Sequence, residues 1–273
     1  MCGPQGYIRS EIGGSFSRCA DVKVARSDWT VTREGYNNDL HKTVIFGAGM
    51  GLHVNSMLSL GLSGHYRSLF KYRQPQTIDR SAYSTPLNND NLFFPSLNNF
   101  KRSFDLDNAS FMFDVYINRA GQFSCYQWCV CGCSLIPYAG VSVGLSKNMV
   151  SNFHTETDRD NIAGSEGNAF EFKGSRTIMT YKGFNHVGWS AQLGFDVSVK
   201  DAMLIGIGYR YFDGGEFCTN NYTIDPLRGT QSVQIDDTDT SISNLERTYT
   251  YALKPWHMKL RCHELVGSLS FSF

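Results

Sequence analysis

Four cysteines crowd one short stretch, at Cys125, Cys129, Cys131 and Cys133, in a chain that carries 8 in all. Thiols at that density can hold zinc in a closed tetrahedral site, pair as disulfides, or stay free. The spacing disfavours zinc. No CxxC pair is present, and Cys129, Cys131 and Cys133 would project the same way along an extended chain. Disulfides, within the connection or between proteins, suit an oxidising compartment, with free thiols as the second reading. Cys19 and Cys218 fall at ends of strands that are not neighbours, so a bridge between them would run loop to loop. The pairing itself cannot be read from the sequence.

A second set of residues could do electrostatic work. Arg9, Glu11, Arg67, Asp114, Asp196, Arg210 and Glu264 all fall on the small or polar face of alternating stretches. If those faces line a narrow interior, three basic and four acidic groups must pair there, because an unpaired buried charge is very costly. The expectation is a salt-bridge network that plugs the lumen; the alternative is an ion path lined by the same groups. His53 and His65 lie on the same faces and read as lumen hydrogen-bonders, not metal ligands.

A third set lies in polar connections: His154, Asp158, Asp160, His186, Asp213 and His257. Acid–base or nucleophilic catalysis would need these groups within hydrogen-bond reach of one another, and they form no recognisable triad spacing. The tracts 155–160 and 236–239 are acidic but lack the glycine and final glutamate of a calcium loop. There is no glycine-rich phosphate loop and no HExxH. The reading is of a non-enzyme with no catalytic residues, no cofactor and no metal.

The elements that position these residues show a two-residue period. Val187, Trp189, Ala191, Leu193, Phe195, Val197 and Val199 share one face, and Gly188, Ser190, Gln192, Gly194, Asp196 and Ser198 the other. Similar alternation runs over 135–146, 44–54, 58–67, 203–211 and 111–118, more weakly over 8–16, and over 265–273. These stretches exceed the usual strand of about 5 or 6 residues and match the roughly 9 to 11 that cross a bilayer. Short turns at 54–57 and 199–202 contrast with long polar stretches at about 19–42, 71–107, 147–185 and 212–258. The connection 119–134 is intermediate. Long loops at one end and short turns at the other mark a membrane barrel. The expected fold is all-β: a closed antiparallel transmembrane barrel, an up-and-down meander of eight strands in a single domain over 1–273. Ten strands are the alternative, if 169–183 and 230–253 add two.

Composition agrees. Lys+Arg and Asp+Glu are both 25, which recommends no nucleic-acid partner. No run approaches the roughly 18 apolar residues of a membrane helix, which leaves a barrel open. Aromatics are 14%; Tyr66, Phe111, Phe113, Trp189, Tyr209 and Tyr211 would sit toward the outer interface, and Phe195, Phe271 and Phe273 toward the inner one. The chain opens on Met1-Cys2-Gly3 without a basic-then-apolar leader; an exported protein would have lost its signal peptide, and Cys2 as a lipoprotein's first residue is the lesser reading.

Three segments carry a family resemblance. The chain ends Val-Gly-Ser-Leu-Ser-Phe-Ser-Phe, with Leu269, Phe271 and Phe273 alternating to a terminal aromatic. The stretch from Ile136 to Gly144 resembles the PY-x-G-x-G-x-G strand of small barrels. Gly206-Ile207-Gly208-Tyr209-Arg210-Tyr211-Phe212-Asp213 resembles the GYRYFD strand of the opacity-protein and outer-membrane-protein-A-like group. The resemblance implies a bacterial cell outer membrane, contact with its lipid or lipopolysaccharide, and a terminal strand read by the barrel-assembly machinery. It leaves function to the loops: adhesion or another host or envelope interaction is the first expectation, and a small porin or a lipid or peptide hydrolase at the rim are the rivals.

Overall fold

The computed structural model describes residues 5–24, 39–79, 97–119, 125–130, 133–157, 161–163, 169–172, 182–200, 202–218, 222–233, 243–253 and 256–273. Its strands are β1 (Gln5–Val24), β2 (Asp39–His53), β3 (Leu58–Asp79), β4 (Leu97–Ile117), β5 (Trp128–Val130), β6 (Cys133–Thr157), β7 (Asn161–Ala163), β8 (Ala169–Phe172), β9 (Lys182–Lys200), β10 (Met203–Cys218), β11 (Tyr222–Val233), β12 (Ser243–Leu253) and β13 (Trp256–Ser272). Eight of them close on themselves in the order β4-β3-β2-β1-β13-β10-β9-β6, with β4 pairing β6. Every pairing is antiparallel, and each barrel strand lies beside its sequence neighbour. The fold is a closed, eight-stranded, up-and-down β-barrel.

The ten-strand alternative fails. The stretches proposed as added strands do form β8, β11 and β12, but these pair with one another and β7 in a separate four-stranded sheet. The intermediate connection holds β5, which pairs only with the first residues of β6.

Alternation decides which residue faces where. Exposed large apolar side chains wrap the outside, among them Ile12, Phe46, Met50, Phe111, Leu145 (67% exposed), Val187 (71%), Leu193 and Ile207. A belt of that extent is the lipid face of a membrane-spanning barrel. At the inner end the turns are tight. Asn55 Oδ1 accepts from the backbone N–H of both Met57 and Leu58 at 2.8 Å, the Asx turn for which asparagine is suited. The barrel closes where Gly6 and Phe273 exchange two backbone hydrogen bonds of 2.9 Å.

At the outer end the strands run further than their alternation suggests. β3 has 22 residues, β4 has 21 and β6 has 25, about twice what a bilayer needs. They continue into the stretches expected as loops at 71–107 and 147–185, and β10 and β13 likewise extend into 212–258. Register shifts break the pattern there; β1 shifts against β2 between Phe16 and Arg18 and against β13 between Ala20 and Lys23, and three further shifts lie at or near a positive-φ residue. The β3–β4 register shifts between Arg67 and Phe70, with Leu69 at φ 56. That of β4–β6 shifts between Ser103 and Asp105, near Asn152 at φ 51. That of β10–β13 shifts between Asp213 and Glu216, where Gly215 takes φ 78. Each such bulge resets which parity faces inward on the strand that carries the extra residue, here β3, β6 and β10, while the partner strand keeps its parity.

Beyond these points the hydrophobic phase inverts. On β13 the inward residues change from Ser270, Ser268 and Glu264 to Cys262, Leu260 and Met258, all three buried, while the outward ones change from Leu265 to Arg261 and Lys259. On β4 the inward series passes from Asp114 and Ser110 to Leu106 and Phe104. Within lipid the polar face looks inward; above it, water surrounds the wall and the apolar face must look inward instead.

Candidate functional site in the lumen

The structure brings all seven anticipated charged residues into the barrel interior, each at most 5% exposed. Arg9 Nε lies 3.0 Å from Glu11 Oε1, and Arg9 Nη2 donates to Asp114 Oδ2 at 3.5 Å. Glu11 also receives Arg210 Nη2, and its Oε2 lies 3.1 Å from His65 Nε2. Glu264 takes Arg67 in two bonds, Nε at 2.5 Å and Nη2 at 3.3 Å, with Arg210 Nη1 3.5 Å away and Ser15 Oγ donating at 3.2 Å. Arg67 Nη1 further donates to Asn108 and Ser110. Two carboxylates thus bridge three arginines, with Asn108 and Ser110 taking a further donor of Arg67, while Arg9 Nη1 is buried without a hydrogen-bond partner.

Asp196 has a partner the sequence reading missed. Arg119 lies just past the end of β4, and its Nε donates to Asp196 Oδ2 at 3.0 Å from the inner mouth. The cause is local: Asn118 takes φ 59 and is tied by its side chain to the carbonyls of Tyr126 and Pro137, which turns the chain back so that Arg119 enters the lumen. The guanidinium lies over Tyr138 at 3.9 Å and Tyr116 at 4.7 Å. With Arg119 the network holds four arginines and four carboxylates, so its formal charges cancel. Nothing in alternation signals Arg119, because it stands beyond the last alternating residue. His53 Nδ1 and Ser59 Oγ are 2.8 Å apart, buried at the same end.

Above the charged tier the interior is apolar. Phe212 lies 3.6 Å beneath or beside the Arg67 guanidinium by ring-centre distance and joins the two tiers. Leu40, Phe70, Tyr72, Phe104, Leu106, Val150, Phe217, Met258, Leu260 and Cys262 form one buried cluster there. Tyr72 stacks on Phe104 at 4.8 Å, and Phe217 meets Phe104 edge-on at 6.1 Å. The lumen is filled from the inner mouth to the outer extension, as an eight-stranded barrel's narrow interior allows.

Glycine makes room for this filling. A Cβ added at Gly140 would lie 2.3 Å from the Tyr116 ring. Gly140→Ala is therefore expected to destabilise the refolded barrel by about 1–3 kcal/mol through overpacking, read as a lower urea midpoint in detergent.

The cysteine-rich connection lies at the inner end. Cys125 and Cys129 are exposed free thiols, and Cys125 Sγ is 3.0 Å from Ser56 Oγ in the β2–β3 turn. Cys131 lies outside the described residues. The chain reverses between Val130 and Cys133, which pair across the β5–β6 hairpin, so the cysteines do not share one extended strand. Among the described residues no cluster of His, Cys, Asp and Glu could hold a metal ion. The terminal residues Leu269 and Phe271 face outward on β13 beside β1 and β10, and Phe273 is 78% exposed. Of the outer-loop candidates, His154 and His257 have described backbone only, Asp158 and Asp160 lie outside the described residues, His186 is at the top of β9, and Asp213 is bonded to Arg261 Nε at 3.3 Å.

The chain is similar to small outer-membrane proteins. Neisserial surface protein A is similar at 12% identity over 100% of both chains, with a TM-score of 0.36. The attachment invasion locus protein Ail of Yersinia pestis is similar at 11% identity over 98% of this chain and 99% of its own, with a TM-score of 0.32. The outer membrane protease OmpT of Escherichia coli is similar at 8% identity over 99% and 97%, with a TM-score of 0.30. No protein-family model matches the chain, and no curated protein matches it. The fold stands on the barrel's own hydrogen-bond register.

Proposed function

We propose that this chain is a surface-exposed barrel of a Gram-negative-type outer membrane, non-enzymatic, whose outer strands and connections bind a host or neighbouring-cell component. The observation that carries the reading is the inversion of hydrophobic phase at the outer end. A wall that is apolar outside and polar inside becomes polar outside and apolar inside, so a rigid stalk rises from the lipid with its own packed core. Rigid scaffolds that hold variable connections are where binding surfaces commonly sit. The exposed terminal Phe273 suits recognition by the barrel-assembly machinery. The test is display of the chain on a non-adherent bacterium, with and without the connections 80–96 and 234–242 replaced by short Gly-Ser turns. Attachment to host cells or matrix proteins is expected to fall to background in the shortened chain. Equal attachment by both would refute the proposal.

The small-channel reading has one observation in its favour. Tyr7 Oη, Ser63 Oγ, Asp114 Oδ1 and Arg119 Nη1 are buried in the inner half without a protein hydrogen-bond partner, which suits a hydrated vestibule. The apolar tier above opposes passage. The purified barrel in planar bilayers is expected to show no discrete conductance steps, and steady single-channel currents would favour the porin reading instead.

A further inference from the structure

The small sheet outside the barrel has two end strands of very different kinds. Its order is β12-β11-β8-β7. At one end β7 has 3 residues; at the other β12 has 11 and pairs β11 along its length, from Ser243 to Leu253. Among the described residues no strand pairs the other edge of β12. A long end strand is a template for another chain, and sheets usually blunt such strands with proline, lysine, bulges or short length. Within this sheet β11 carries Pro226 and the extra residue at the shift between Ile224 and Leu227. The strand β12 reads Ser-Asn-Leu-Glu-Arg-Thr-Tyr-Thr-Tyr-Ala-Leu. It has no proline, glycine or lysine, and its β-branched and aromatic residues favour an extended chain.

The two charges of β12 set a register. Glu246 and Arg247 are its only charged residues, and as neighbours on a strand they belong to opposite faces. Across β11, Glu246 is opposite Thr230, which is opposite Glu171 on β8. Arg247 is opposite Gly229, which is opposite Phe172. Neither charge has its opposite as a direct cross-strand partner, and Arg228 stands only diagonally from Glu246. A second β12 laid antiparallel along the edge supplies both partners at once. With Glu246 opposite Arg247, two-fold symmetry repeats the pair, one on each face. The same register sets Leu245 opposite Thr248, Asn244 opposite Tyr249 and Ser243 opposite Thr250. Opposite charges directly across a ladder stabilise it and like charges destabilise it. A two-fold contact uses the same patch on both copies, as most homodimers do.

We infer that the edge of β12 is a docking surface for a second copy of this chain, the two sheets joining antiparallel through residues 243–250. The inference goes beyond attachment to a host or neighbouring-cell component. A chain can attach without pairing with itself, or pair without attaching, so the two readings fail separately.

The experiment uses the full chain refolded in excess detergent micelles and sedimentation velocity over a concentration series. Wild type is expected to form a dimer. Glu246→Arg alone, or Arg247→Glu alone, places two like-charge pairs at the seam and should weaken the dimer on the order of tenfold, which is about 1.4 kcal/mol. The double exchange Glu246→Arg with Arg247→Glu should restore it, and an equimolar mixture of the two single variants should pair as wild type does. All variants should keep the electrophoretic mobility shift on boiling that marks an intact barrel, since β12 lies outside the barrel ladder. A wild type that stays monomeric at every concentration overturns the inference. So does a dimer that the single variants leave unchanged, or one that neither the double exchange nor the mixture restores.

Discussion

Glu264→Ala lowers the unfolding free energy of the refolded barrel by about 3–5 kcal/mol, the range for leaving a buried charge without its partner. Glu264 is the shared acceptor of Arg67 and Arg210, and all three are at most 2% exposed. Removing it leaves two guanidiniums facing each other across a space that a methyl group does not fill. Urea unfolding in detergent, followed by tryptophan fluorescence, reads the effect as a lower midpoint at similar slope. Glu264→Gln should recover part of the loss, since the amide oxygen still accepts from Arg67. Magnitude separates this pair from those on the wall. Lys259 and Glu216 lie 3.6 Å apart with side chains 34% and 53% exposed, and Glu216→Ala should change stability by under about 1 kcal/mol. Equal effects at Glu264 and Glu216 would contradict a buried Arg67–Glu264 pair.

The second large effect concerns the outer core. Phe104→Ala removes a ring that is fully buried between Tyr72 and Phe217, a change that costs about 3–5 kcal/mol in a packed core. The loss should be local. The membrane-embedded half keeps its charged tier and hydrogen-bond ladder, while the outer strands loosen around the cavity. Limited proteolysis of the protein in detergent should therefore cut β3 and β4 near their outer ends much faster than in wild type, with the mobility shift on boiling retained. Loss of that shift would mean that the two tiers unfold as one.

Much of the fold is visible in the alternation itself. Arg67, Asp114, Asp196 and Arg210 stand in strands that alternate without interruption, so parity alone places them; Arg9 and Glu11 stand in the weaker alternation of 8–16, and Glu264 just outside the regular run 265–273. The outer core was hidden for a different reason. Phe70 and Tyr72 follow the register shift at Leu69, where the inward parity of β3 changes from odd to even; on β4 the inward parity stays even, but Leu106 and Phe104 replace the small or polar residues of that face, and either change looks like the end of a strand. The signal is nonetheless present in pairs such as Met258-Lys259-Leu260-Arg261, where alternation persists with its phase reversed. Such reversal marks the lipid boundary more sharply than average hydropathy does. Arg119 lay beyond both kinds of signal, since its entry depends on the backbone conformation of Asn118.

The two hydrogen bonds between Gly6 and Phe273 join the first described strand to the last. Closure therefore depends on residues almost the whole chain apart, and no partial product emerging from synthesis can complete the ring. Until the final strand arrives, β1 and the newest strand each present an open edge, the hazard that sheets ordinarily guard against. A chain that lacks β13 forfeits the seam and leaves the edges of β1 and β10 to pair with whatever is near. The barrel thus carries its own test of completeness: only a molecule that holds both β1 and β13 can hide both edges.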